Sequence, residues 1–278
     1  MSDPAVRVEV RLDRVAVLTI DQPGAKVNVL TAALWDELEA ELDALPPDLA
    51  GLVIASGKPG CFIAGADLNL LANATPGDPA VKAFLSQGLR VLAKLEALPY
   101  PTCAAIDGVA LGGGLELALA CDYRAFGSHP KVLIGLPEVK LGLIPGWGGT
   151  QRSTRVLGFE TALSMLVTGE SIELRTSKDA AFFEFTVPSD RVIETAAWLT
   201  LRGPREAPRH RLRAWTTRAL ELDEPQSTAA REAYRVALAG LELPLYAGIE
   251  LETEAFLRLA GSDESRAKIA AFFAARKR

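Results

Sequence analysis

Two carboxylates in apolar surroundings, each beside a glycine-rich turn, are the groups in this chain whose types and spacing could do chemistry. Glu116 follows Gly112-Gly113-Gly114 within the apolar run Cys103 to Cys121. Glu138 lies in Leu136-Pro137-Glu138, ahead of a second such turn, Pro145-Gly146-Trp147-Gly148-Gly149. An acid is costly to bury without partners. Two neighbouring acids in a half-dry site push each other's pKa values apart, which suits one to be a base and the other an acid. A third turn of small residues, Phe62-Ile63-Ala64-Gly65-Ala66-Asp67, lies between a strand and a later helix. Small residues let a ligand approach the main chain closely. A helix start aims unpaired N–H groups and a positive dipole at that ligand. Two N–H groups from different turns can hold one carbonyl oxygen as it gains negative charge.

Each feature alone has a plainer reading. A glutamate in the first turn of a helix complements the helix dipole. Asp67 reads as a helix cap, Asp107 beside Gly108 as a turn former, and Trp147 as core or pocket wall. The chain has only two histidines, His129 and His210, which disfavours His-based triads and multi-His metal sites. It has no Gly-x-Ser-x-Gly elbow, no P-loop and no Gly-x-Gly-x-x-Gly opening a helix, so its glycine turns serve another purpose.

Composition narrows the classes further. The 278 residues are 49% hydrophobic, enough for one large domain, or for one domain with a smaller appendage. The formal charge is −5 and the basic residues are scattered, which argues against nucleic acid. The basic tip Arg276-Lys277-Arg278 reads as a solvated helix end. Cys61, Cys103 and Cys121 show no metal spacing and read as buried reduced thiols. The start, Met1-Ser2-Asp3-Pro4, has no basic region or apolar core of a signal peptide. The run Cys103 to Cys121 holds Asp107, Glu116 and four glycines, which disfavours a membrane span. A cytoplasmic protein with no membrane association is the expectation.

The elements that must position these groups follow from periodicity. Val6 to Leu12 alternates and reads as a strand, with Val15 to Ile20 as its hairpin partner. Thr31 can cap a helix to about Leu45, with Leu34, Leu38, Leu42 and Leu45 on one face. Leu52 to Ala55, Thr102 to Ile106 and Tyr123 to Phe126 read as short strands. Pro79 to Leu98, Gly113 to Cys121, Gly149 to Val156 and Glu160 to Thr168 read as helices. Strands alternating with helices predict an α/β fold. Leu201 to Gln226 is rich in Arg and Pro and has no strand signal. Helical patterns return from Ser227, over Leu241 to Leu259 and Ala267 to Ala275. The expected division is a core over 1–200 and a helical C-terminal segment over 201–278.

Three runs in order carry a resemblance. They are Cys61 to Leu68, Ala105 to Leu117 and Leu136 to Arg152, and together they resemble the crotonase family of enoyl-CoA hydratases and isomerases. Val27-Asn28-Val29-Leu30 and Lys58-Pro59-Gly60 fit the branch formed by the hydratase part of multifunctional fatty-acid-oxidation alpha subunits. The resemblance covers about residues 6 to 170. It implies a spiral of repeated strand-strand-helix turns followed by a helical segment that carries trimer contacts. It also implies hydration of a 2-enoyl-CoA, as in beta-oxidation, in a homotrimer or a dimer of trimers.

The N–H groups of Ala66 and Gly113 would form the oxyanion hole. Glu116 would activate water and Glu138 would donate the proton. Lys26 and Val27, with Ala64, Gly65, Asp67, Leu68 and Asn69, would hold the CoA arm, and Gly112, Pro137 and Trp147 would line the substrate. No metal and no separate cofactor is implied, coenzyme A being part of the substrate. Both glutamates together favour a hydratase over an isomerase. Enoyl-CoA isomerisation and dienoyl-CoA hydration are the alternatives within the family, and a non-catalytic acyl-CoA-binding subunit is the alternative outside it. The chain departs from the family at Leu174 to Phe185, where an expected glycine is missing. It holds no dinucleotide-binding motif, so a dehydrogenase or thiolase would be a separate partner.

Overall fold

The computed structural model of the chain describes residues 3–173, 186–203 and 227–276. The divergent stretch Leu174 to Phe185, most of Leu201 to Gln226 with His210, and the last two residues of the basic tip lie outside the described residues.

The alternating start of the chain pairs as expected. β1 (Val6–Val10) and β2 (Val15–Ile20) form an antiparallel hairpin. α1 (Ala32–Ala44) is capped by Thr31, whose side chain accepts from the Leu34 N–H, and it buries Leu34, Trp35, Leu38 and Leu42. The chain then repeats one unit. β3 (Gly51–Ser56) and β4 (Gly60–Ile63) precede α2 (Asn69–Ala72) and α3 (Pro79–Glu96). β5 (Thr102–Ile106) and β6 (Gly108–Leu111) precede α4 (Gly113–Ala120). β7 (Tyr123–Gly127) and β8 (Leu133–Gly135) precede a 3-10 turn (Pro137–Leu141) and then α5 (Gly149–Leu157).

The first strand of each unit joins one sheet, ordered β1-β2-β3-β5-β7, and the second joins another, ordered β4-β6-β8. Between repeats every pairing is parallel. This is the expected spiral of strand-strand-helix turns. α6 (Phe159–Thr168) leads to β9 (Ile172–Glu173) at the edge of the second sheet. β10 (Thr186–Val187) closes the first sheet.

β4, β6 and β8 correct the sequence reading, which had a turn or an unassigned apolar segment at each place. They are only three or four residues long, and β4, β6 and β8 each contain a glycine. Such strands owe their conformation to neighbours rather than to their own residues. Two further boundaries move. The first strand stops at Val10, leaving Leu12 exposed. The helix sought from Leu241 starts at Leu245, after Pro244.

Period-two alternation divides the strands between two cores. Leu52 and Ile54 of β3 and Ala104 and Ile106 of β5 face the main core. Val53, Ala55, Cys103 and Ala105 face α7 (Val192–Arg202) on the other side. The C-terminal helices α8 (Thr228–Ala239), α9 (Leu245–Leu259) and α10 (Asp263–Arg276) pack back on α5, α6 and the 3-10 turn. Their residues Ala233, Val236, Ala255, Phe256 and Ile269 belong to the main core. All three cysteines are buried free thiols. Among the described residues no helix is long and apolar enough to cross a membrane.

Candidate active site

The site lies where the second sheet delivers its strands to the glycine turns. The turn after β4 is held by the segment before α1. Ala64 donates its N–H to Asn28 O (2.9 Å), Leu30 donates to Gly65 O (2.9 Å), and Asp67 donates to Leu30 O (2.9 Å). Leu30 and Ala66 thus form an isolated parallel bridge. In that geometry Leu30 takes up the groups on either side of Ala66, so the N–H of Ala66 points away from the bridge. Asn28, fully buried, locks the arrangement. Its Nδ2 donates to Ile20 O, Ser56 Oγ and Phe62 O, while its Oδ1 accepts from Gln22 N–H. Sequence reasoning gave Asn28 no role of its own.

The turn after β6 is built on a conformation reserved for glycine. Gly112 has φ 51° and ψ −126°, and its N–H donates to Gly135 O of β8 (2.8 Å). α4 then begins at Gly113. Neither the Gly113 N–H nor the Ala66 N–H has an acceptor among the described residues. A Cβ built on Gly112 would lie 3.8 Å from Gly65 Cα and 2.7 Å from Glu138 Oε1. These distances bring the first two turns and Glu138 together at one place. Gly113 is bare for a different reason: a Cβ there would lie 2.5 Å from Trp147 Cζ3 and 2.8 Å from Leu30 Cδ1.

Trp147 is core as well as wall. It is 3% exposed, and its ring meets Trp35 and Phe84 edge to face at 5.1 and 5.2 Å between centroids. Its Nε1 donates to Leu85 O (3.2 Å).

Glu116 is buried in the first turn of α4. Its Oε1 accepts from both the Trp147 and the Gly149 N–H, each at 2.7 Å. Burial raises its pKa to about 7, against the pull of those two amides and of Arg152. Arg152 is itself buried in an ion pair with Glu96 (2.8 Å).

Glu138 stands on the 3-10 turn after Pro137. The residue is partly exposed, but its Oε2 is buried and has no hydrogen-bond partner. Burial first, then the charges of Glu116 and Glu252, hold its carboxyl well above the usual range. The two acids therefore occupy unequal environments. Glu116 has two amide donors and a nearby guanidinium and loses its proton first. Glu138, with no donor on Oε2, keeps its proton to higher pH.

The other sequence-predicted residues fall in three groups. Ala64, Gly65, Ala66, Asp67 and Leu68 follow β4 directly, and Pro137 and Gly112 flank Glu138. Lys26 is exposed on the loop before Asn28, and Val27 is half-buried beside it. Asp67 accepts from Asn69 N–H (3.0 Å) and Asn69 Nδ2 (2.7 Å), a local turn contact; the expected cap is not formed, because α2 has its N-cap at Leu68 with no side-chain bond. Asp107 takes the His129 N–H and the Ser189 hydroxyl, which ties β5 to the segment before α7.

The buried carboxylate nearest the site escaped sequence reasoning. Glu252 of α9 is fully buried, accepts from the Gly148 and Thr150 N–H groups, and has its pKa raised to about 8 by burial and by Glu116. Its neighbours on the buried face, Gly248, Ile249, Ala255 and Phe256, show the signal that was available. A charged residue standing at helical spacing on an apolar face needs a partner in the core. Among the described residues no group of acids, histidines or cysteines is arranged to hold a metal ion.

The strand-strand-helix spiral, with a glycine turn at the start of α4 and two glutamates beyond it, defines a crotonase-type protein. The enoyl-CoA hydratase/isomerase family model matches residues 11–233, and the chain belongs to that family. Among solved structures it is similar to an enoyl-CoA hydratase from Bacillus anthracis, at 27% identity over 98% of this chain and 97% of that one, with a TM-score of 0.66. An enoyl-CoA hydratase from Rhodobacter sphaeroides 2.4.1 shares the fold at 24% identity, over 99% of this chain and 90% of that one, with a TM-score of 0.76. Human mitochondrial delta3-delta2-enoyl-CoA isomerase shares it too, at 22% identity over 99% and 98%, with a TM-score of 0.74.

Proposed function

We propose that the protein hydrates the 2,3 double bond of an acyl-CoA thioester. The observation that carries this reading is the pairing of two carboxylates in unequal environments, Glu116 buried and Glu138 with a buried Oε2, beside two backbone donors without acceptors among the described residues. The thioester oxygen is held by the N–H groups of Ala66 and Gly113. Glu116, ionised first, takes a proton from water as the water oxygen bonds to C3. The electron pair of the double bond moves toward the thioester, whose oxygen gains enolate charge and draws on the two N–H groups. As the carbonyl re-forms, Glu138 delivers its proton to C2. Water and enoyl thioester thus become a 3-hydroxyacyl thioester, and the proton taken by Glu116 returns to Glu138 before the next turnover.

The CoA arm lies along Lys26, Val27 and the turn Ala64 to Asn69. No metal or separate cofactor takes part. A trimer is part of this reading: Tyr234 and Leu238 on α8 and Leu243 and Tyr246 nearby are large exposed apolar residues that a subunit contact would cover.

The experiment is a panel of 2-enoyl, 3-enoyl and dienoyl thioesters, followed by loss of enoyl absorbance and by product identity. Crotonyl-CoA should be hydrated faster than a 3-enoyl thioester is isomerised. Tight binding of CoA esters with no turnover of any of them would replace this reading with that of a non-catalytic binder.

A further inference from the structure

Four consecutive backbone N–H groups, from Trp147 to Thr150, lie between two carboxylates carried by different helices. Those of Trp147 and Gly149 point to Glu116 Oε1 on α4, at 2.7 Å each. Those of Gly148 and Thr150 point the other way, to Glu252 Oε1 (2.5 Å) and Oε2 (2.7 Å) on α9. The Thr150 hydroxyl adds a second contact to Glu252 Oε2 (2.5 Å) and accepts from Gln151 Nε2 (2.9 Å). The last three are donors that an α-helix leaves unsatisfied at its start, here the start of α5, and Trp147 N–H lies one residue ahead of the N-cap Gly148, whose φ of 90° turns the chain into the helix. We infer that Glu252 is a positioning residue: by gripping alternate amides of this turn it aims the remaining two at Glu116 and so sets the basicity of the group that activates water.

The geometry makes the two carboxylates interdependent. Successive amides can alternate sides only while both sides hold an acceptor. If Glu252 loses an acceptor oxygen, the Gly148 or Thr150 N–H is left unpaired in the core, and the turn can relieve this by rotating amides away from Glu116. The charged and titratable groups that face Glu252 are Glu116 from α4, Glu138 from the 3-10 turn and Arg152 from α5. Two effects on Glu116 therefore oppose each other. A negative charge on Glu252 disfavours ionisation of Glu116, while the amides it aims favour that ionisation. If positioning dominates, removing Glu252 raises the pKa of Glu116. If charge alone dominates, removal lowers it. The C-terminal segment, through α9, thereby takes part in the chemistry and not only in packing.

The catalytic consequence rests on the hydratase reading, but the positioning does not, and the experiment separates them. The variant is Glu252→Gln, which keeps the shape but turns an N–H₂ toward one of the two amides. The readout is the titration of the Glu116 carboxyl by its carbon-13 shift, assigned by its loss in Glu116→Gln. The midpoint should move upward by about one pH unit, with circular dichroism unchanged. In crotonyl-CoA hydration the acid limb of kcat/KM should move with it, and kcat should fall about 10-fold or more while KM stays within about threefold.

If Glu252→Gln does not fold, Thr150→Val removes one of the three contacts and should give a smaller upward move, which Thr150→Ser reverses. A midpoint that stays in place or moves downward overturns the inference. So does a loss of folded protein with no change in the pH limb. Failure of the wild type to hydrate any enoyl thioester would refute the proposed function and leave the titration to decide the role of Glu252.

Discussion

Replacing Glu116 by Gln separates chemistry from packing, because one oxygen makes both structural bonds. Oε1 accepts from Trp147 and Gly149, and a glutamine oxygen can accept the same pair. The substituted position is Oε2, which enters neither bond. The fold should therefore persist while the base disappears. Loss of a general base typically costs 10²–10⁴ in rate, about 3–5 kcal/mol of barrier.

Stability should move the opposite way. The carboxyl of Glu116 rises from its ordinary 4.5 to about 7 in the folded protein. Between those values the unfolded chain gives up its proton first, so folding loses stability as pH rises and the loss is complete above about pH 7. For this fully buried group the loss amounts to about 3 kcal/mol. Glutamine cannot ionise and escapes it. Melting curves of wild type and Glu116→Gln should coincide near pH 4.5, below the folded-state value. Above about pH 8 the variant should melt roughly 5–10 °C higher. A variant that hydrates crotonyl-CoA within about threefold of wild type would refute the base assignment. A melting difference of the same size at both pH values would refute the buried-charge argument.

Two further outcomes follow from the same geometry. The rate profile of kcat/KM should rise through about pH 7 as Glu116 ionises and fall at higher pH as Glu138 loses its raised proton. In Glu138→Gln the alkaline limb should vanish and the acid limb remain, and a persistent alkaline limb would assign it to another group. Gly113→Ala should lower kcat by about 10²–10³, because its Cβ would meet Trp147 Cζ3 at 2.5 Å and displace the donor. Adding Trp147→Leu should recover part of the lost melting temperature, and no recovery would place the strain elsewhere.

The parts of the molecule legible in its sequence are those whose residues are costly anywhere else. Glu116 and Glu138 stand out as charges in apolar runs, and Gly112 takes a backbone conformation that a side chain resists. α1 and α3 announce themselves by apolar spacing over three turns or more. What was hidden depends on partners distant in sequence. β4, β6 and β8 become strands only when stacked on one another. Asn28 is read as part of a loop until Ile20, Ser56 and Phe62 are seen around it. Glu252 sits in a run with Glu250 and Glu254, where three alternating acids look like a solvated face. The spacing of Gly248, Ile249, Ala255 and Phe256 marks the middle one as inward-facing, and the structure supplies the turn that receives it. The asymmetry between the two site acids was expected from chemistry alone. Its physical source, two amides and an arginine on one side and none on Glu138 Oε2, required coordinates.

In the proposed reaction Ala66 and Gly113 hold a thioester oxygen opposite two glutamates that handle water and a proton. A crystal structure with an unreactive acyl-CoA thioester tests it most directly. The thioester oxygen should lie about 3 Å from both the Ala66 and the Gly113 nitrogens, with C2 and C3 facing the carboxyls of Glu138 and Glu116. A thioester oxygen bound away from those two nitrogens, or an acyl chain that leaves both carboxyls out of reach of C2 and C3, would contradict it.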